Sequence, residues 1–199
     1  MAKWWHYPAW RRVALQVTMW VLFGASLGVA GMVSAYRQGQ VNSKYSPPIA
    51  CGKFVVRAPV GWKVILHPDS LVKVEAIEPT KTSRRPRHLL FYEKQIVEPT
   101  TAMEFLGQVK SNGTGFVEEE DPGEASPVTI AGFEGVATIR EYVRTVAIIA
   151  RVHIVEYSAA AVSPQGQALG VKMLSDGASV EADELLFDEL LGRITTTQN

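Results

Sequence analysis

Hydrophobic and polar positions divide this chain near residue 36. From Val13 to Ala35 the sequence VALQVTMWVLFGASLGVAGMVSA contains no charged residue. At about 1.5 Å per helical residue the run is roughly 35 Å long, enough to cross a hydrocarbon core of about 30 Å. The pattern predicts an interfacial N-terminal segment over 1–12 and one transmembrane helix over 13–35. A linker rich in Gly, Ser and Pro follows over 36–52, then a domain outside the membrane over 53–199.

Within that domain the pattern changes period. Lys53 to Ala58 reads as a strand that runs into the turn Pro59-Val-Gly61, and Trp62 to Leu66 starts the next strand. Leu71 to Ile77 alternates as a half-buried strand, and Arg87 to Tyr92 is another. Thr101 and Glu104 form a capping box ahead of Ala102, Phe105, Leu106 and Val109, one apolar helical face. Asn112-Gly113 is its expected stop. An acidic loop is expected from Glu118 to Glu124. Strands are expected over 128–131 and 135–142, over a long run from Val146 to Val162 split at Ser158, and finally over 168–174. Ser179 is the expected cap of a closing helix that buries Phe187, Leu190, Leu191 and Ile194. Runs of strands with segregated helices predict an α+β fold with a mainly antiparallel sheet.

Flanking residues orient the span. Lys3, Arg11 and Arg12 precede it, while Arg37 and Lys44 follow, which favours a cytoplasmic N-terminus and an extracytoplasmic domain. Trp4, Trp5, Tyr7, Trp10 and Trp20 carry amphipathic rings suited to the membrane interface. A cleaved signal ending at Ala35 is the competing reading, but its apolar region would exceed the usual 7 to 15 residues. Gly24, Gly28 and Gly31 offer small positions for a second helix to approach. The same stretch matches G-x-S-x-G at Ser26. A nucleophile elbow, however, needs a strand, a turn and a helix at a sheet edge.

Charge and chemistry narrow the function classes. Lys and Arg number 20 and Asp and Glu 20, so the net charge is zero and no nucleic-acid footprint is expected. Cys51 is the only cysteine, which excludes an intramolecular disulfide. His6, His67, His88 and His153 lack metal-ligand spacing, and no metal or cofactor site is predicted. Ser70-Leu-Val-Lys73 matches S-x-x-K but falls on a strand, where the two side chains oppose. Glu118, Glu119, Glu120 and Asp121 form an acidic patch without the spacing of a calcium loop. Arg84, Arg85 and Arg87 form a basic one. Both are candidate partner-docking surfaces.

Three stretches carry a resemblance: Phe54-x-Val-x-Ala-Pro-x-Gly-Trp62, the capped helix ending near Asn112, and Ile130-Ala-Gly-Phe-Glu-Gly135 with the later strands and closing helix. Over residues 53 to 195 the chain resembles the PsbP/Mog1-like family. The resemblance implies an αβα sandwich around a central antiparallel sheet and a mostly non-catalytic role. That family includes extrinsic subunits that dock on photosystem membranes and proteins that bind small GTPases. The expected function is therefore a single-pass, non-catalytic accessory or assembly subunit of a photosynthetic or respiratory complex in the inner (cell) membrane. Its partners would be other membrane subunits and the lipid bilayer. The alternative is a membrane-tethered ligand-binding or sensory module.

Overall fold

Alternation along residues 155–162 sorts Val155, Tyr157, Ala159 and Ala161 to one side of a strand and Glu156, Ser158, Ala160 and Val162 to the other. Nearly all of these side chains are buried, so both faces of the sheet are covered. The computed structural model describes residues 17–24, 26, 44–79, 85–98, 100–111, 117–121, 123–147 and 150–197. The chain divides into two units, Met1–Lys44 and Tyr45–Asn199.

In the first unit, residues 17–24 form helix α1, and Ser26 is helical too. Val17, Met19, Trp20, Val21, Leu22 and Phe23 are all exposed, at 57–72%. Among the described residues no helix is long and apolar enough to cross a membrane. The rest of the predicted span, with Gly28 and Gly31, lies outside them, as do Trp4, Trp5, Tyr7 and Trp10.

In the second unit the strands and helices run β1 (Ile49–Cys51), β2 (Phe54–Val56), β3 (Lys63–Leu66), β4 (Val72–Ile77), β5 (His88–Gln95), α2 (Ala102–Ser111), β6 (Val117–Asp121), β7 (Ala125–Ile130), β8 (Phe133–Ala147), β9 (Ala150–Val162), β10 (Gln167–Ser175), α3 (Val180–Leu191) and β11 (Thr195–Thr196). The main sheet is antiparallel in the order β3-β4-β5-β10-β9-β8-β6, with β7 also on β8. A small sheet, β1-β2-β11, joins α3 over one face, around Phe54, Phe91, Tyr157, Met173 and Leu190. Helix α2 covers the other with Phe105, Leu106 and Val109 against Tyr92, Ala160 and Ala168. This is an α+β fold with a large antiparallel sheet, as expected.

Small residues let α2 sit low on that face. A Cβ at Gly170 would lie 2.4 Å from Val109 Cγ2 and 3.3 Å from Phe105 Cε1. The capping box forms as expected: Thr101 Oγ1 accepts from the Glu104 N–H at 3.2 Å, and the Thr101 N–H donates to Glu104 Oε2 at 2.7 Å.

Four expectations change. Residues 117–121, read as part of an acidic loop, are edge strand β6, with Glu120 opposite Tyr142 and Asp121 opposite Glu141. Pairing through the backbone overrides low strand propensity, and charge is tolerated at an edge. The long β run is not split at Ser158, which lies inside β9 opposite Thr138 and Lys172. Nor is β10 the last strand: after α3 the chain returns as β11 beside β2. Ser179 occupies the N-cap position of α3 but makes no side-chain cap bond. The start of α3 is held instead through buried Asp183, which accepts from Ser175 Oγ and lies 2.8 Å from Arg87 Nε.

The second unit also draws in residues of the predicted linker. Tyr45 is buried, bridges Pro59, and stacks under Arg193 at 4.1 Å from ring centroid to guanidinium.

The fit of α2 on Gly170 gives a direct expectation. Gly170→Ala should lose about 1–3 kcal/mol through overpacking against Val109. Adding Val109→Ala should recover part of the loss, unlike Ala substitution of a distant valine. Urea unfolding of the single and double variants measures both.

Candidate functional site

The polar face of the sheet carries the most concentrated chemistry in the domain. Arg140 on β8, Glu156 on β9 and Lys172 on β10 meet beneath the C-terminal turn of α2. Arg140 and Glu156 are cross-strand partners. Arg140 Nε donates to Glu156 Oε1 at 3.0 Å, and its Nη2 donates to Oε2 at 2.9 Å. Ser158 Oγ donates to Glu156 Oε1 at 2.8 Å, and Lys172 Nζ lies 3.5 Å from Oε2. Glu156 and Lys172 are 0% and 1% exposed.

Two cations face one carboxylate, and helix α2 supplies the remaining negative charge. The Lys110 carbonyl accepts from Arg140 Nη2 at 2.8 Å and from Lys172 Nζ at 3.1 Å. It belongs to the helix's last turn, where the helix dipole is negative. Desolvation pushes the Lys172 ammonium down to about 8, with the Glu156 charge opposing it. Next to the cluster, Tyr92 OH is buried with no hydrogen-bond partner among the described residues. Burial first, and then the Glu156 charge, raises this phenol well above its ordinary range.

This arrangement suits a positioning role. Glu156 has its oxygens occupied, and Lys172 is closed off from solvent, so neither side chain reaches the surface to act as acid, base or nucleophile. The cluster ties the end of a helix to three strands of the sheet.

Charged groups elsewhere are also taken up internally. Arg87, a predicted docking residue, pairs with buried Asp183 and lies 3.8 Å from Glu78. Glu75 bridges His67 Nε2 at 3.2 Å and His88 Nδ1 at 3.4 Å. His67 thus turns to β4 rather than to the neighbouring Asp69. Lys73 of S-x-x-K donates to the Pro68 carbonyl at 2.8 Å. Cys51 is fully buried, and burial pushes its thiol up to about 12, so it is a packed side chain of low reactivity. Ser26 Oγ donates to the Phe23 carbonyl at 2.8 Å, a helical back-bond that no elbow would make.

Of the remaining predicted positions, Arg85 is exposed beside a cleft of about 430 Å³ at the end of β5, β9 and β10, shared with His88, His153 and Asp176. Arg84 lies outside the described residues. Glu118, Glu119, Glu120 and Asp121 are placed by backbone on edge strand β6. Gly24 lies on α1, where an added Cβ would meet nothing within 4 Å, and Trp20 lies on the same helix, 72% exposed. Among the described residues no group of His, Cys, Asp and Glu could hold a metal ion.

The charge cluster went unread in the sequence, although a signal was present. Glu156 and Lys172 each interrupt an apolar run, and a charge in a strand buried on both faces must find a partner. Which strand supplies that partner depends on the sheet order.

A two-layered cover of helices and a small sheet on one antiparallel sheet defines the class: an α+β sandwich. The particular likenesses are structural. The domain is similar to cyanobacterial PsbP (CyanoP) from Synechocystis, with TM-score 0.54, 10% identity, and 77% of this chain and 93% of that chain covered. It is similar to PA94, a protein of unknown function from Pseudomonas aeruginosa, with TM-score 0.50, 8% identity, and coverage of 77% and 98%. LpqN of Mycobacterium tuberculosis, involved in cell envelope biogenesis, matches with TM-score 0.48, 17% identity, and coverage of 76% and 90%. No protein-family model matches the chain. No curated protein sequence matches it either. At these identities the likenesses to CyanoP and PA94 show the fold alone, and they agree with the PsbP/Mog1-like resemblance of the sequence.

Two expectations follow from the cluster. Arg140→Met strands the buried Glu156 carboxylate and should cost about 3–5 kcal/mol, whereas Lys172→Met should change stability by no more than about 1 kcal/mol. Denaturant titration at pH 7 ranks the two, and equal losses would refute the primacy of the bidentate pair.

The second expectation concerns pH. Lys172 binds its proton less tightly in the fold, at about 8 against 10.5 unfolded, so the unfolded chain holds more protons between these values. Wild type should therefore gain stability on Lys172→Met as pH rises from 8 towards 10.5. Taking the difference removes the opposite trend of Cys51, Tyr45 and Tyr157, whose raised values of about 12 make the fold lose stability above pH 9 to 10. A flat difference would show that Lys172 is hydrated.

Proposed function

We propose that this chain is a non-catalytic, single-pass accessory or assembly subunit that docks an extracytoplasmic domain on a larger membrane protein complex, photosynthetic or respiratory. The observation that carries this reading is α1. Its described side chains carry no charge, are apolar apart from Thr18 and Ser26, and are exposed. A helix hydrophobic all round belongs in lipid or within a protein core, not in water. Residues 13–35 have the length and lack of charge for a membrane span. The placement of the N-terminus in the cytoplasm and of the domain across the inner (cell) membrane follows the flanking charges. Gly24, Gly28 and Gly31 would face a neighbouring helix.

The domain supports a docking role because its buried ionic groups pair with each other, and because its fold is shared with cyanobacterial PsbP. In the second reading the domain is a tethered ligand-binding or sensory module. The cleft beside Arg85 and His88 favours it, since about 430 Å³ lies within the usual size of small-molecule sites.

Native-size analysis of the full chain after gentle detergent extraction separates the readings. Co-migration with defined membrane subunits is expected. A lone monomer at all protein concentrations, without co-purifying subunits, would overturn the proposal.

A further inference from the structure

On the face opposite the charge cluster, α3 leaves part of the sheet uncovered. Val128 on β7 and Ala137 and Ile139 on β8 pack against the core only in part and remain half-buried. They floor a cleft of about 400 Å³ between the outer strands and α3. Its inner wall is Tyr157 and Phe187, whose ring centroids lie 5.8 Å apart. The Tyr157 hydroxyl is already committed, donating to the Val180 carbonyl at 3.1 Å.

The rim is acidic. Glu184 and Asp188 rise from α3, and Glu124 faces them from just before β7; all three are exposed, and among the described residues no Lys or Arg lines the cleft. Nearby cations are engaged elsewhere: Arg87 with Asp183, and Arg193 with Glu189 and the Tyr45 ring. Alongside, Glu181, Glu184, Leu185 and Asp188 share one stripe of α3, and Leu185 is 65% exposed.

An apolar floor under a carboxylate rim is complementary to a side chain with an alkyl stem and a cationic head. Lysine and arginine have that form: the stem covers apolar surface while the head stays at the polar edge. Carboxylates provide the matching acceptors, in forked geometry for arginine. We infer that the cleft between α3 and β7–β8 receives a Lys or Arg side chain from a basic, partly apolar segment of a partner protein, with Leu185 covered by an apolar residue of the same segment. This rests on the accessory-subunit reading and names the chemistry of the contact. It assigns docking to Glu184, Leu185 and Asp188 of α3 together with Glu124, the last carboxylate of the acidic stretch expected from the sequence.

The test uses the full chain in phosphatidylcholine nanodiscs. The probe is the peptide acetyl-Leu-Lys-Leu-Arg-Leu-amide, with acetyl-Leu-Glu-Leu-Glu-Leu-amide as control. Affinity is measured by isothermal titration at low and high salt. The basic peptide should bind in preference to the acidic one and weaken as salt rises. Glu184→Gln with Asp188→Asn should weaken binding roughly three- to tenfold, as removal of two part-exposed charges predicts. Glu98→Gln with Glu134→Gln, exposed charges away from the cleft, should leave it unchanged. Circular dichroism melting confirms that each double variant is folded.

Equal binding of both peptides, or no effect of the α3 variant, would overturn the inference. So would displacement of the peptide by tetramethylammonium at equal concentration, which would assign the cleft to a small cation. Concentration-dependent self-association lost in the α3 variant would assign it to a second copy and overturn it as well. Failure here with co-migration intact counts against the cleft alone. Peptide binding by a chain that extracts as a lone monomer counts against the accessory-subunit reading alone.

Discussion

Glu156 is the constraint around which the domain is arranged. A fully buried carboxylate is tolerated only where charge and hydrogen bonds surround it. Arg140 supplies both in a fork, Ser158 adds a hydroxyl, and Lys172 adds charge. The surplus positive charge then requires the C-terminal turn of α2, through the Lys110 carbonyl. One acidic side chain thereby sets the relative positions of three central strands and a helix. A shift of β9 by one residue would turn Glu156 to the face of Tyr157 and Phe187, where Leu190 and Met173 offer no partner. The ionic contact is thus an instrument of register at least as much as of stability.

The two faces of the sheet solve different problems. On the α2 side, glycine and alanine at 170, 160 and 168 bring the helix close enough for its carbonyl to reach the cations. On the α3 side, the core is larger and more aromatic, and the small sheet β1-β2-β11 completes it. There α3 is fastened at its start by Asp183 and beyond its end by Arg193, while its acidic outer stripe stays exposed. The tightly paired charges lie inside, and the loosely held ones lie where another molecule can meet them.

Much of this was legible in the chain. The capping box at Thr101 and Glu104 and the stripe Phe105, Leu106 and Val109 announce α2 because helical period and cap chemistry are local. The apolar positions of α3 are legible for the same reason. Strands β1 and β11 are not, since two or three residues carry no period and exist only through their pairing with β2. Nor is β6, whose acidic side chains oppose a strand assignment until the backbone of β8 is there to pair with. At the site, lone charges in apolar runs marked Glu156 and Lys172 as unusual. Their convergence needed the order β10-β9-β8, which no local signal encodes.

The stacking of Arg193 on Tyr45 has a mechanical consequence. Tyr45 is the first residue of the folded unit, and Arg193 lies just past its last helix. Tension drawn along the chain from residue 44 reaches the domain at this stack and at the backbone bridge from Tyr45 to Pro59. The beginning and the end of the domain form one joint there, so drawing Tyr45 away from the domain must break the ring stack on Arg193 together with the bridge to Pro59.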